Sequence, residues 1–153
     1  MKSAPTYFYV QKTNSFFDIG IPMPFEVEKA NVGNAMDLAS GKFTAPRKGT
    51  YFFSFVGLGG FDPKTDTSVF NLIAGLYLND VLVGVGRDEE FNTSDDTQHN
   101  QLAIQLTLNL EANDQVWIQF LEMTPGGSVS LHEHDQSTHF TGFMLEENII
   151  ASL

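Results

Sequence analysis

The sequence predicts an all-β sandwich in a single domain, residues 1–153. Short apolar or alternating runs recur at regular spacing with turn residues between them, and no run keeps a convincing helical period. Gln101–Leu110 alternates most cleanly: Leu102, Ile104, Leu106, Leu108 and Leu110 share one face, polar residues and Ala103 the other. Gly49-Thr50-Tyr51-Phe52-Phe53-Ser54-Phe55 puts aromatics on both faces of one strand, which requires cover on both sides.

Bulk properties narrow the class. A chain of 153 residues can bury a core without disulfides, and the absence of cysteine excludes thiol chemistry and thiolate metal sites. A formal charge of −11 argues against nucleic acid and anionic membranes as direct partners. No stretch approaches the ~20 apolar residues of a membrane-spanning helix. The start, Met1 to Phe8, has no apolar signal-peptide core and reads as the beginning of a mature domain.

In chain order, Tyr7–Val10 is the first strand, broken at Thr13-Asn14-Ser15. Ile19 to Pro24 reads as irregular, and Val27 to Leu38, punctuated by Asn31, Gly33 and Asn34, as a loop with a short strand. Lys42-Phe43-Thr44 is a short strand, and Ala45 to Gly49 turns into a strand from Tyr51 to Leu58 that ends at Gly59-Gly60. Val69–Leu78 and Val81–Val85 form a hairpin around Asn79-Asp80, two residues that tolerate left-handed backbone. Arg87 to His99 reads as a long acidic loop. Gln115–Leu121 and His139–Leu145 are the closing strands, with Glu146-Glu147 leaving the sheet. Gly57 to Gly60 and Gly84 to Gly86 lack the third glycine and helix of a dinucleotide site and read as strand ends or bulges.

Phe25, Asn31, Phe43, Gly49, Tyr51, Phe53 and Phe55 stand at spacings that resemble the signature of the C1q globular domain. Gly41 to Pro46, Asn113 to Trp117 and Phe140 to Leu145 resemble further blocks of that family, in family order. Met36 departs from the large aromatic or Leu usual there. The resemblance implies a ten-stranded, two-sheet jelly-roll sandwich of the C1q/tumour-necrosis-factor type, assembling as a homotrimer. It places Tyr7, Tyr9, Tyr51, Phe53, Phe55 and Phe143 in the inner sheet at the trimer interface. The surplus of aromatics points the same way, because a monomer would expose more of them than soluble monomers tolerate.

Three loop segments invite a chemical reading. Arg87 to Asp96 is acidic, and calcium takes oxygen ligands from such loops. The resemblance implies a possible calcium site near the trimer apex, with Asp88 and either Asp95 or Asp96; a solvated charged loop explains the same composition. His132-Glu133-His134-Asp135, with His139, could hold zinc or copper if a third ligand folded back, but fits an exposed polar loop better. Asn92-Thr93-Ser94 is a glycosylation sequon at Asn92. No Gly-x-Ser-x-Gly elbow occurs, and nothing points to catalysis.

The expected function is that of a secreted, non-enzymatic, trimeric recognition module binding carbohydrate or protein ligands on microbial or cell surfaces in innate immunity. The alternatives are a receptor-binding signalling ligand of tumour-necrosis-factor or cerebellin type, and a structural extracellular head. No Gly-X-Y repeat occurs in the chain, so no collagen stem is expected within it.

Overall fold

A computed structural model of the chain describes residues 4–61, 70–90, 98–123, 127–130 and 137–149. Among these the secondary structure is entirely strand, in eleven segments. They are β1 (Tyr7–Gln11), β2 (Val27–Val32), β3 (Met36–Asp37), β4 (Lys42–Thr44), β5 (Gly49–Phe61) and β6 (Phe70–Leu78). Then follow β7 (Val81–Glu90), β8 (Gln98–Leu110), β9 (Gln115–Met123), β10 (Gly127–Ser130) and β11 (His139–Glu147). One sheet runs β8-β5-β11-β1-β2, with β10 also on β5; the other runs β3-β4-β9-β6-β7. All named strand pairs are antiparallel. β10 pairs with Leu58–Phe61 and β11 with Gly49–Val56 of β5, so the two occupy one position end to end. The expected ten-strand, two-sheet plan is therefore present, with one strand in two pieces.

The core is an aromatic layer between the sheets. Alternation along β5 sends Tyr51, Phe53 and Phe55 inward, all fully buried. Phe43 of β4 meets Tyr51 at 5.7 Å and Phe53 at 5.4 Å between ring centroids, both edge-on. Phe8 of β1 meets Phe43 at 5.3 Å and Phe140 of β11 at 4.9 Å, and Phe25 stacks on Phe140 at 5.9 Å. Tilted and edge-on rings at these separations add to the burial of their area. β8 closes the layer as its alternation predicts, with Leu102, Ile104 and Leu110 buried.

The gapped sequence pattern becomes physical here. Phe25, Met36, Phe43, Tyr51, Phe53 and Phe55 all belong to this one core. Asn31 instead closes the turn that brings Met36 in: its amide donates to the Met36 carbonyl (2.8 Å), and its side-chain oxygen accepts from the Met36 N–H (3.2 Å). At Gly49 a Cβ would stand 2.4 Å from the Glu146 carbonyl oxygen, so only glycine lets β5 and β11 close there. Met36 fills its place at 3% exposure, so the departure from the pattern leaves the core sealed.

Several boundaries differ from the sequence expectation. β5 does not stop at Gly59-Gly60; β8 and β10 flank both residues and supply the ladder bonds that glycine's weak strand propensity would not secure alone. Gly84 and Gly86 likewise lie within β7. β7 continues through Arg87-Asp88-Glu89 to Glu90, paired with β6 as far as Phe70, because alternation leaves Arg87 and Glu89 in water. The expected acidic loop is thus largely strand up to Glu90. Val27 to Leu38 provides two strands, and β11 runs on through a bulge to pair Glu146 and Glu147 with β5. The segment 19–24 is tied down by bridges from Ile19 to Phe120 and Pro22 to Gln119. The Asn79-Asp80 turn has both residues at positive φ, 47° and 68°.

One buried charge pins the chain between β1 and β2. Lys12 is 2% exposed, and its ammonium donates to the Pro24 carbonyl (2.9 Å) and to Glu26 (3.1 and 3.3 Å). The Phe16 ring lies 4.9 Å from the same nitrogen. Glu26 in turn accepts from the Thr13 and Asn14 N–H groups, at 3.0 Å each. Removing Glu26 leaves the ammonium buried without a counter-charge. Glu26→Ala is expected to cost about 3 kcal/mol in urea unfolding, whereas Lys12→Met with Glu26→Gln costs less than either single change, since no charge is then stranded. At Gly142 a Cβ would lie 2.6 Å from the Phe8 ring and 2.7 Å from the Phe53 ring. Gly142→Ala is expected to destabilise by about 1–3 kcal/mol, read as a lower urea midpoint with an unchanged slope.

Candidate functional site

The same alternation that fills the core dresses the outside of the β8-β5-β11-β1-β2 sheet. Register aligns three rows across it. The first is Val32, Tyr7, Phe143, Phe52 and Thr107. Phe52 and Phe143 touch with ring centroids 5.4 Å apart. Tyr7 is 43% exposed, Phe143 39%, and Leu145, next along β11, 54%. The second row is Ala30, Tyr9, Thr141, Ser54 and Gln105, and the third is Val27, Gln11, His139, Val56 and Ala103. The first row is aromatic, the second adds Thr141, Ser54 and Gln105, and the third sets Gln11 and His139 among Val27, Val56 and Ala103. Along β8 its margin, Gln101 to Asn109, is exposed at every outward position.

Exposed aromatics in one cross-strand ladder are not needed to hold this sheet together. The ordinary solution for an outward sheet face is polar alternation, as β8 shows. Tyr7 and Phe143 exposed beside a half-buried Phe52 suit a surface that another chain covers. The six residues expected at the trimer interface all lie in the β8-β5-β11-β1-β2 sheet. Tyr7, Tyr9 and Phe143 point outward, whereas Tyr51, Phe53 and Phe55 are turned into the core, where no partner chain can touch them. Their place on the outer face is taken by Phe52, Ser54 and Val56. Strict period two could have made this distinction from the sequence: Phe52 is one residue out of step with the core aromatics.

Polar groups on this face are partly shielded. Gln11 is 4% exposed and donates from its amide nitrogen to the Tyr9 phenol at 3.0 Å. The His139 imidazole lies edge-on to the Tyr9 ring at 5.5 Å. Burial holds its pKa below the ordinary histidine value. At the base of the sandwich, burial pushes the Tyr51 phenol above its ordinary value, while its hydroxyl donates to the Arg47 carbonyl at 2.7 Å. Arg47 itself donates to Thr6 (2.9 Å) and to the Ala4 carbonyl, and lies 3.4 Å from Glu147.

The remaining candidates are divided by what is described. Asp88 sits in β7 opposite the buried Leu72, one carboxylate oxygen shielded from solvent. Asp95, Asp96, the Asn92 sequon and the His132 to Asp135 cluster lie outside the described residues. Among the described residues no three His, Asp or Glu side chains come together as a metal site. A hollow at the base, lined by Asn34, Met36, Asp37, Thr44, Pro46 and Asn113 among others, contains one titratable group, Asp37, so no acid–base pair converges there.

Comparison with known proteins agrees with this architecture. The C1q domain profile matches residues 7–145. The chain is 30% identical over 148 residues to human complement C1q tumor necrosis factor-related protein 3, covering 96% of this chain and 50% of that protein; the mouse protein gives the same figures. The chain thus spans about half the length of these curated relatives. Among solved structures it resembles the globular domain of zebrafish complement 1qA protein, with a TM-score of 0.71 at 18% identity, covering 94% of this chain and 99% of that one. It also resembles the Eiger TNF of S. frugiperda, with a TM-score of 0.68 at 9% identity and 99% of both chains covered. Two sheets in this strand order, a core built from the signature residues and a profile match over nearly the whole chain have one reading: the chain belongs to the C1q domain family.

Proposed function

We propose that this C1q domain is the head of a secreted, non-enzymatic homotrimer that recognises repeated ligands, glycans foremost, on microbial or cell surfaces in innate immunity. The observation that carries the reading is the Tyr7–Phe143–Phe52 ladder, an aromatic row in which Tyr7 and Phe143 stand exposed. A closed threefold ring uses two different surfaces on each subunit. The second is at hand in β7, the open edge of the other sheet, where Val81, Val83 and Val85 are exposed. Three heads held together turn weak single-site contacts into avidity, which suits repetitive targets. The acidic surface favours neutral or cationic ligands over nucleic acid.

Calcium belongs to the same proposal. Asp88 offers a partly shielded carboxylate, and Asp95 and Asp96 would complete an oxygen set with it. A second reading, a receptor-binding signalling ligand, is favoured by the similarity to tumor necrosis factor-related proteins and to a TNF fold. It differs in its target, one protein bound tightly in place of many sugars bound weakly.

In light scattering after size exclusion, the chain is expected to run at three times its 17.0 kDa. Phe143→Glu, at a position outside the core, is expected to give a folded single chain. That variant should bind immobilised polysaccharide on the order of 100-fold more weakly than the trimer. A wild-type monomer overturns the assembly. A trimer that ignores polysaccharide and binds one cell-surface protein favours the signalling reading. For the ion, Tm is expected to fall when chelator replaces calcium, by the equivalent of about 2.7 kcal/mol where calcium stood at a hundred times its Kd. Asp88→Ala should abolish the difference, and an equal Tm in both buffers would remove calcium from the proposal.

A further inference from the structure

The hollow at the base of the sandwich uses no residue of either assembly surface. Three pieces of chain meet there: the β2–β3 turn with β3, the end of β4, and the β8–β9 turn. Met36 and Ala45, both buried, make its floor, and Asn34, Asp37, Thr44 and Asn113 stand around it. Its volume is about 420 Å³, within the range of small-molecule sites. The walls are fixed by the backbone. The Thr44 N–H donates to the Ala35 carbonyl (2.9 Å), the Ala45 N–H to that of Asp114 (2.8 Å), and the Asn113 N–H to that of Ala45 (2.7 Å). Asn34 and Asn113 hold left-handed backbone, at φ 52° and 74°.

The side chains on the rim are uncommitted. Among the described residues the Asn34 and Asn113 amides and the Asp37 carboxylate have neither a hydrogen bond nor an ion pair. The Thr44 hydroxyl accepts from the Gln115 amide at 3.3 Å and keeps its own proton to donate. Two amides, a hydroxyl and a carboxylate thus offer donors and acceptors around an apolar floor. Neighbouring hydroxyls of a sugar ring, each able to donate and accept, match that rim, and the C–H face of the ring matches the floor. The only charge on the rim is negative, which disfavours acidic sugars.

From the hollow a row continues across the outer face of the same sheet. Register sets Asp37 beside Lys42, and Tyr77 between Trp117 and Leu82. The Lys42 ammonium lies 4.6 Å from the centre of the Trp117 ring and has no carboxylate partner. The Trp117 and Tyr77 rings are nearly parallel, 7° apart in plane with centroids at 6.1 Å. Trp117 is buried, Tyr77 half-buried with its hydroxyl free, and Leu82 exposed. A sugar can lie flat on the Tyr77 ring while the phenol and the Lys42 ammonium meet its hydroxyls.

We propose that the hollow and this row form the binding site for a neutral saccharide chain. One hexose sits over Met36 and Ala45 with its hydroxyls on Asn34, Asp37, Thr44 and Asn113, and the sugars that follow pass Lys42 toward Tyr77. The proposal rests on the glycan reading above and gives it a place on the molecule. A site this open binds a single sugar weakly, and three copies on one head supply the avidity.

The test uses the full chain on immobilised mannan, dextran and polygalacturonate, with methyl mannoside and methyl glucoside titrated in NMR. The wild type should bind a neutral polymer in preference to the acidic one, and the corresponding free glycoside should shift the side-chain amide signals of Asn34 and Asn113. Asn34→Gly and Asn113→Gly remove the amides and keep the left-handed backbone. These variants and Asp37→Ala should each weaken glycoside binding about threefold to tenfold, and polymer binding more, at unchanged trimeric mass. Tyr77→Ala should weaken polymer binding and leave the single glycoside as it was. If a variant loses its mass or fold, the titration of the unaltered chain decides. Glycoside-induced shifts that spare Asn34 and Asn113, or rim variants that bind as the wild type does, would overturn the site and leave the glycan reading standing. Preference for polygalacturonate would overturn the neutral class, and a Tyr77→Ala chain that holds polymer as well as the wild type would overturn the part given to the row. A wild type that binds none of the polymers would overturn the glycan reading, and the site with it.

Discussion

Strand β5 has to be apolar on both sides, and the rest of the molecule is arranged around that constraint. It is flanked by β8 on one edge and by β10 and β11 on the other, so no part of its backbone looks to water for hydrogen bonds. Tyr51, Phe53 and Phe55 then demand a second sheet on one side, and β4, β6 and β9 provide it. Phe52 and Val56, half-buried, make a lesser demand on the other side, where Tyr7 and Phe143 stay exposed. The interior of the domain and the case for a partner are two consequences of one alternating strand.

Electrostatics follows the same division. The net charge is −11, and most of the carboxylates among the described residues stand in water, where like charges repel only weakly. The buried charge among the described residues is Lys12, and the five hydrogen bonds and ring contact of the Lys12–Glu26 pair tie the 12–26 loop to the end of β1. Charge is absent from the aromatic row and returns only at its margins. An interface that excludes charge from its centre is dry there and gains from area more than from ion pairs.

The fold was legible because its signals are local and periodic. Alternation in Gln101–Leu110, the Asn79-Asp80 turn and the spacing from Phe25 to Phe55 each correspond to something in the structure: a strand, a left-handed turn and one shared core. What escaped the sequence was decided by pairing. Gly59-Gly60 and Asp88-Glu89-Glu90 look like loop and are strand, because neighbours already in place supply the hydrogen bonds that propensity does not. The assembly face was legible in outline from the excess of aromatics, but assigning Tyr51, Phe53 and Phe55 to it ignored the parity that turns them inward and Phe52 outward. Gln11 could not have been found: nothing in Val10-Gln11-Lys12 marks a glutamine that would be shielded beside a histidine 128 positions away.

The broken strand has a consequence of another kind. Ser130 pairs with Leu58 and His139 with Val56, so the chain leaves β5 and rejoins it only two positions further down. A direct continuation would need a single residue there; the sequence has eight, 131–138, between the two pairings. The ladder on either side is anchored independently of how many residues the excursion contains, because loop closure grows costlier only with the logarithm of length. Thr138 at its end is fully buried, its hydroxyl accepting from the Leu58 N–H and its carbonyl from the Lys12 N–H at 3.0 Å each, so register is held from that residue onward and only what precedes it is free to change. A foreign peptide spliced between Ser130 and Thr138 would be displayed by an intact sandwich, and in a threefold assembly it would be displayed in triplicate.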